Sequence, residues 1–286
     1  MPSPELQAFI EEVRRTRRAL LNSDYDPVAF RTALPPSALE AASHIEALRC
    51  ARIEHRPPER DGRLLAYVSG GGFCFDANDS HRAFVDDIAG RIGASGCLVR
   101  YRLAPEAPFP AALDDVDEAL DALLSRRRPQ EVLLAADSAG AALTLSALMR
   151  RRDRGQAMPA RLVCLSPLTD MAMTGRSNVS NAEADPLFGP QAVIHKVCNY
   201  LQGALPTRPD ASPYWGDLTG LPPCLVLAGT TEVMRDDSVR LVDKARAAGV
   251  EADLQLVEDA PHTFPLMTLP ESLAARDVIA GFLRGD

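Results

Sequence analysis

Val132-Leu133-Leu134-Ala135-Ala136-Asp137-Ser138-Ala139-Gly140 is the stretch on which the reading of this chain turns. An apolar run rich in branched residues, opened by Glu131, stops at a serine flanked by small residues. Such a run reads as a strand buried on both faces. From Ala141 to Arg151 the spacing becomes helical. A sharp strand-to-helix turn pushes a serine into a strained, exposed position at the helix N-terminus. It needs small neighbours because the backbone packs closely on either side. Residues 136–140 therefore fit a nucleophile elbow, G-x-S-x-G, with Ala136 in place of the first glycine. A small-x-Ser-x-Gly match alone does not make an enzyme, so the rest of the chain has to carry that case.

Apolar, strand-like runs recur at 64–69, 97–101, 132–136, 162–166, 224–228 and 252–257. Helical patterns lie at 80–92, 111–124, 139–151, 237–248 and 271–284. In the second of these, Leu113, Val116, Leu120, Leu123 and Leu124 return at three- and four-residue steps and make one apolar face. Strands alternating with helices predict an α/β fold, a mostly parallel sheet covered on both faces. The expectation is a single domain over residues 1–286, without repeats or a low-complexity linker. Two stretches break the alternation. Residues 1–42 read as two helices, the second closed by Pro35-Pro36. Residues 170–215 hold Pro186, Pro190, Pro206, Pro209 and Pro213 around one helix at 191–201. Insertions at the carboxyl ends of strands carry specificity elements in such folds. Both stretches are expected to form a lid, the alternative being plain connecting helices.

The composition excludes several function classes. A net charge of −8 argues against nucleic acid or an anionic membrane as partner, since both attract basic surfaces. The basic clusters (Arg14, Arg15, Arg17, Arg18; Arg126 to Arg128; Arg150 to Arg152) fall on helices or helix ends and read as solvated faces. No apolar run approaches the length of a membrane span. Met1 to Leu6 open an amphipathic charged helix rather than a signal peptide. The six cysteines show no C-x-x-C spacing, and Cys97, Cys164 and Cys224 fall in strand-like runs as small hydrophobes. That usage predicts a cytoplasmic protein. Cys74, beside a glycine run, reads as a packing residue. The five histidines form no metal-ligand pair, so neither a metal nor a cofactor is expected.

A hydrolytic serine needs a base, an acid that orients the base, and donors for an oxyanion. In a fold entered through a nucleophile elbow, the chain order is serine, acid, histidine. Glu232 stands four residues past the run ending at Ala228. His262 is the one histidine after the run ending at Val257. The donors are expected from Ser69-Gly70-Gly71-Gly72-Phe73, which follows the first parallel strand. A phosphate loop is the alternative, but no Gly-Lys-Ser/Thr follows and no helix begins at once. The N–H groups of Gly70, Gly71 and Ala139 are the predicted oxyanion hole.

These motifs have company: Tyr101-Arg102-Leu103-Ala104-Pro105-Glu106, Ser166-Pro167-Leu168-Thr169-Asp170, Ala184-Asp185-Pro186 and Glu232-Val233-Met234-Arg235-Asp236-Asp237. In them the chain resembles the bacterial hormone-sensitive-lipase branch of the α/β-hydrolase fold, a group of carboxylesterases and acetyl hydrolases. It matches that family's Y-R-L-A-P-E throughout, and its H-G-G-G-F/Y and G-D-S-A-G except at the first residue of each. Residues 166–170 are similar to the family's S-P-W-T-D. The similarity runs from about residue 4 to the C-terminus.

The resemblance implies a serine carboxylesterase that cleaves a short-acyl ester through an acyl-enzyme. Ser138 is then the nucleophile, His262 the base and Glu232 the orienting acid, with Asp236 and Asp237 as competitors for the last role. It assigns Tyr101 to Glu106 to bracing the glycine loop, Asp137 to capping or bracing the elbow, and His81 to structure. Phe73, Phe188, Tyr214 and Trp215 are expected to narrow the substrate pocket. The partner is a small-molecule ester, with neither nucleic acid nor membrane, and a homodimer stays open.

Three departures matter. Ser69 replaces the family's histidine, Ala136 adds a methyl, and Arg100 stands where the family often has an acid. A serine reaches less far than a histidine, so the glycine loop is expected to be held less firmly and generic esters to be cleaved weakly. A dehydratase, lyase or cyclase acting on a specialised metabolite is the alternative enzyme. A non-catalytic binding protein is a third reading, weakened because all three triad residue types are present.

Overall fold

The apolar runs become the strands of one sheet. In the computed structural model, which describes residues 2–20, 26–32, 37–41, 43–58 and 62–286, these are β1 (His44–Ala47), β2 (Arg52–Arg56), β3 (Leu64–Val68), β4 (Ser95–Arg100), β5 (Val132–Asp137), β6 (Arg161–Leu165), β7 (Cys224–Gly229) and β8 (Ala252–Val257). Their order across the sheet is β1-β2-β4-β3-β5-β6-β7-β8. β2 pairs antiparallel with β1 and β4, and every other neighbouring pair is parallel. The Pro35-Pro36 stop and the side chains of Arg17 and Arg18 lie outside the described residues.

Period-two alternation sorts the strand side chains between two layers. Leu64, Ala66, Val68, Leu134 and Ala136 pack with helices Ala111–Ser125, Ser138–Asp153 and Arg235–Ala247. Leu65, Tyr67, Leu133 and Ala135 face the opposite way, against helices Asp79–Ile92 and Pro270–Arg284. The predicted helices at 80–92, 111–124, 139–151, 237–248 and 271–284 are these five. Burial on both faces is why β3, β5, β6 and β7 read as near-continuous apolar runs.

β1 and β2 are absent from the sequence reading because they carry charges. Glu54 of β2 is fully buried, and the Arg82 guanidinium, equally buried, donates to both its oxygens at 2.7 and 2.9 Å. Arg56 meets Asp86 in the same two-pronged way, at 2.9 and 2.7 Å. The same network accounts for Arg100, whose Nε lies 2.9 Å from Asp76 and whose Nη1 pairs with Glu40. An arginine fits here because acids surround it.

β3, β5, β7 and β8 all run parallel, so their carboxyl ends open on one edge of the sheet. The glycine loop, Ser138, Glu232 and His262 each follow one of these strands, at the edge where α/β sheets place ligands.

Candidate active site

Ser138 is the first residue of helix Ser138–Asp153 and has a φ of +49°. A left-handed conformation at a non-glycine residue costs on the order of 1–3 kcal/mol and persists only where its surroundings hold it. Gly140 shows what holds it: a Cβ there would fall 2.2 Å from the Val68 carbonyl oxygen and 2.5 Å from that of Ser69. Leu168 N–H also donates to the Ser138 carbonyl at 3.1 Å. The methyl of Ala136 is fully buried. It lies in the core, in register with Val68 and Cys164.

His262 Nδ1 lies 2.7 Å from Glu232 Oε2. Glu232 is fully buried, and its other oxygen accepts from the Ser166 hydroxyl at 2.7 Å and from Gly229 N–H at 2.5 Å. Ser166 Oγ in turn accepts Thr263 N–H at 2.9 Å, which ties the histidine loop to the same serine. The two competing acids are committed elsewhere. Asp236 accepts Ser177 N–H and pairs with Arg235. Asp237 accepts the N–H groups of Thr169 and Asp170 at 2.7 and 2.9 Å, which shapes the 166–170 loop.

Burial, with the negative Asp170 nearby, pushes the Asp237 carboxyl up to about 7 although both N–H bonds oppose it. An unfolded aspartate titrates near ~3.9. A raised folded-state value favours folding below that pH, and the advantage is lost as pH rises through about 7. Asp237→Asn keeps an acceptor and removes the titration. The stability gap is therefore expected to move in the variant's favour between pH 4 and 8, by on the order of 4 kcal/mol. Thermal unfolding of both proteins across that range measures it. A pH-independent gap contradicts the raised value.

The glycine loop corrects one predicted donor. Gly70 N–H donates to Asp137 Oδ1 at 2.8 Å and is therefore unavailable to an oxyanion. The next two glycines turn through φ values of +89° and +59°, and the N–H groups of Gly71 and Gly72 meet no acceptor among the described residues. The turn at Gly71 excludes side chains, since a Cβ would lie 2.5 Å from the Phe75 carbonyl oxygen.

The loop is braced without a histidine at position 69. The Tyr101 hydroxyl lies 2.8 Å from the carbonyl oxygens of both Ser69 and Gly70. Asp137 caps nothing; its carboxylate accepts from Tyr67 at 2.7 Å as well as from Gly70, and His81 Nε2 stands 3.5 Å away. Burial works to raise this carboxyl, but His81 and the two donors outweigh it and hold it below the usual carboxylate range. The expected slackness at Ser69 is thus offset from behind the loop.

The predicted pocket aromatics divide. Phe188 meets His262 edge-on, with ring centres 5.0 Å apart. Asp185 accepts from Leu187, Phe188 and Val233 N–H groups and so joins the Phe188 turn to the Glu232 loop. Phe73 is fully buried and stacks on Tyr200 of helix Pro190–Leu201 at 3.8 Å, which makes it an anchor for that helix rather than a pocket wall. Tyr214 and Trp215 are corrected as well. The Tyr214 ring lies 3.7 Å under the Arg240 guanidinium, and Trp215 Nε1 donates to Asp170 at 3.0 Å. Both line a surface pocket of about 550 Å³ with Arg240, Asp243 and Lys244, on helix 235–247 rather than at Ser138.

Parts of both stretches expected to form a lid lie against the glycine loop. Arg31, from helix Pro27–Thr32, donates to the carbonyls of Cys74 and Ala104 just behind the glycine loop. In the second stretch Phe188, Lys196 and Tyr200 reach the loop and His262. Sequence reasoning passed over Ser166 and Lys196. Ser166 stands in a motif it quoted without a role, whereas Lys196 carried no signal at all.

A family profile described as the alpha/beta hydrolase fold matches residues 65–266. The acetyl-hydrolase of Streptomyces hygroscopicus is 35% identical to this chain over 300 aligned residues, covering 99% of this chain and 97% of that protein. An esterase of Acinetobacter venetianus is 34% identical, over 77% of this chain and 74% of its own. Among solved structures, an esterase from the bacterial hormone-sensitive lipase family superposes with a TM-score of 0.87 at 35% identity, covering 100% of this chain and 99% of that one.

Proposed function

This chain belongs to the α/β-hydrolase family, in its bacterial hormone-sensitive-lipase-like branch, and is a carboxylic ester hydrolase; on that premise we propose that Ser138, His262 and Glu232 are its catalytic triad. The observation that carries the assignment is the 2.7 Å contact between His262 Nδ1 and the fully buried Glu232. It is made at the same sheet edge as the strained Ser138 turn.

In this reading His262 Nε2 takes the Ser138 hydroxyl proton as the oxygen attacks the ester carbonyl. The carbonyl oxygen gains the negative charge and is held by N–H groups of Gly71, Gly72 and Ala139, with Gly72 in the place first given to Gly70. One such donor is typically worth ~3–4 kcal/mol in the transition state. Collapse returns the proton from His262 to the departing alcohol and leaves an acyl-enzyme. Water, deprotonated by the same imidazole, then releases the acid and restores Ser138.

A fluorophosphonate probe tests the reading: stoichiometric labelling of Ser138, lost in Ser138→Ala, is expected. The dehydratase, lyase and cyclase alternatives find no support in the relatives above, which carry hydrolase names.

The substrate is a small-molecule ester, and the acyl group in this reading is short. Phe188 and the Lys196 stem stand close over His262 and Gly72, which leaves little length for a chain. Rates across a p-nitrophenyl ester series are expected to peak at about two to six acyl carbons and to fall steeply beyond, each excluded methylene forfeiting ~0.8 kcal/mol of burial. A maximum beyond ten carbons contradicts this pocket.

The single-domain organisation, with 26–32 and 186–201 as cover, belongs to the same reading. All six cysteines are free, two of them exposed, which supports a reducing, cytoplasmic location. No helix among the described residues is long and apolar enough to cross a membrane.

A further inference from the structure

Lys196 is one of only two lysines among the 31 basic residues of the chain. It lies on helix Pro190–Leu201 with its stem across Gly72, where a Cβ would fall 2.2 Å from Lys196 Cδ. Its ammonium stands 4.6 Å from the centre of the Phe188 ring, and that ring meets His262. One end of the side chain thus rests on the glycine loop, and the other contacts an aromatic ring that also meets the histidine.

The arginines around the site are matched. Arg31 pairs with Glu106, Arg100 with Asp76 and Arg102 with Asp115. Lys196 meets no carboxylate among the described residues; its counterpart is the face of Phe188. Burial lowers its pKa, and the thiol of Cys74 nearby is itself pushed up to about 11 and so carries no charge to balance it. An ammonium partly removed from water with only a ring for company is under-compensated, since a cation–π contact replaces only part of the lost hydration. In a chain of net charge −8, a lone cation here singles out one kind of ligand.

We propose that Lys196 is a specificity-determining residue that binds a carboxylate carried by the substrate, so that the ester turned over best is the hemiester of a short dicarboxylic acid. The carboxylate oxygens accept from the Lys196 ammonium while the ester carbonyl lies against Ser138, which sets a spacing of a few carbons between the two groups. A charge-assisted hydrogen bond of this kind fixes orientation as well as affinity.

The proposal rests on the ester-hydrolase reading, and its test separates the two. Hydrolysis of monoethyl glutarate and of ethyl pentanoate is followed by pH-stat in the wild type, Lys196→Met and Lys196→Arg. Lys196→Met is expected to shift the ratio of kcat/KM between the two esters by ~10-fold or more toward the neutral one, chiefly through KM for the hemiester. Lys196→Arg keeps the charge and is expected to recover part of the ratio. Free glutarate is expected to inhibit the wild type competitively and the Met variant far less. An unmoved ratio, or equal losses on both esters, overturns the proposal, because a residue that only stiffens the lid lowers both alike. Failure of the wild type to cleave either ester, with no fluorophosphonate label at Ser138, sinks the ester-hydrolase reading and this inference with it.

Discussion

Ser138→Ala is expected to lower kcat for p-nitrophenyl butyrate by ~10⁴-fold or more, and His262→Ala nearly as far, with little change in KM. The two groups act as one device. Without the hydroxyl there is no atom to form the acyl bond, and without the imidazole the hydroxyl keeps its proton. Each single loss therefore costs about as much as the double, so the Ser138→Ala/His262→Ala variant is expected to be no slower than either parent. Stability gives an independent readout. Ser138 sits at φ +49°, a region that glycine enters freely and alanine does not. Ser138→Gly should abolish turnover equally yet unfold at a higher temperature than Ser138→Ala, by a difference of ~0.5–1 kcal/mol. Turnover surviving in either Ser138 variant at more than a trace would remove the acyl-enzyme from the mechanism.

How far the chain could be read without coordinates followed from where its charges lie. β3 to β7 were legible because burial on both faces demands near-continuous apolar runs, and the edge strand β8 because Ala252, Leu254, Leu256 and Val257 keep it mostly apolar although it is only partly buried. β2 was not, because its polar positions point into ion pairs: Glu54 is fully buried, and nothing in Arg52-Ile53-Glu54-His55-Arg56 says that Arg82 will meet it. In the site, chain order put the acid after β7 but left Glu232, Asp236 and Asp237 as competitors, and it is the 2.7 Å contact of His262 Nδ1 with Glu232 Oε2 that favours the first. The choice of glycine was not legible. In a run of three, the N–H that faces the pocket depends on the positive φ of Gly71 and Gly72 and on Asp137 occupying Gly70, all of which are tertiary facts. Two of the four aromatics were misplaced for a related reason, while Phe188 does meet His262. Tyr214 and Trp215 lie in the right insertion, but its second half turns back onto helix 235–247, where Arg240 holds the Tyr214 ring. Lys196 differs again, since a single lysine on an amphipathic helix looks solvated until Gly72 is seen beneath it.

Glu232→Gln tests the least obvious part of the machinery and should also cost ~10⁴-fold in kcat, as removing the negative charge of a triad acid does elsewhere. The direction follows from the hydrogen bonds around the carboxylate. Oε1 accepts from Gly229 N–H and from Ser166, whose oxygen is already taken as an acceptor by Thr263 N–H, so the Ser166 proton must point at Glu232. Two donors converge on that one position. The glutamine carbonyl oxygen is therefore pinned there, and the amide nitrogen is turned toward His262 Nδ1, where Oε2 now lies at 2.7 Å. An amide N–H facing Nδ1 forces that nitrogen to accept, which places the imidazole proton on Nε2 and leaves it unable to take the proton of Ser138. The fold should be untouched, since every hydrogen bond except the one to His262 keeps its polarity. Ser166→Ala adds a second check: it frees Oε1 from one donor and leaves the charge, so it should cost far less than Glu232→Gln. Asp236→Asn, whose carboxylate is taken up by Ser177 N–H and Arg235, should turn over at close to the wild-type rate. A Glu232→Gln enzyme of normal rate beside an inactive Asp237→Asn would transfer the acid role to Asp237 and would require the 2.7 Å contact to be incidental.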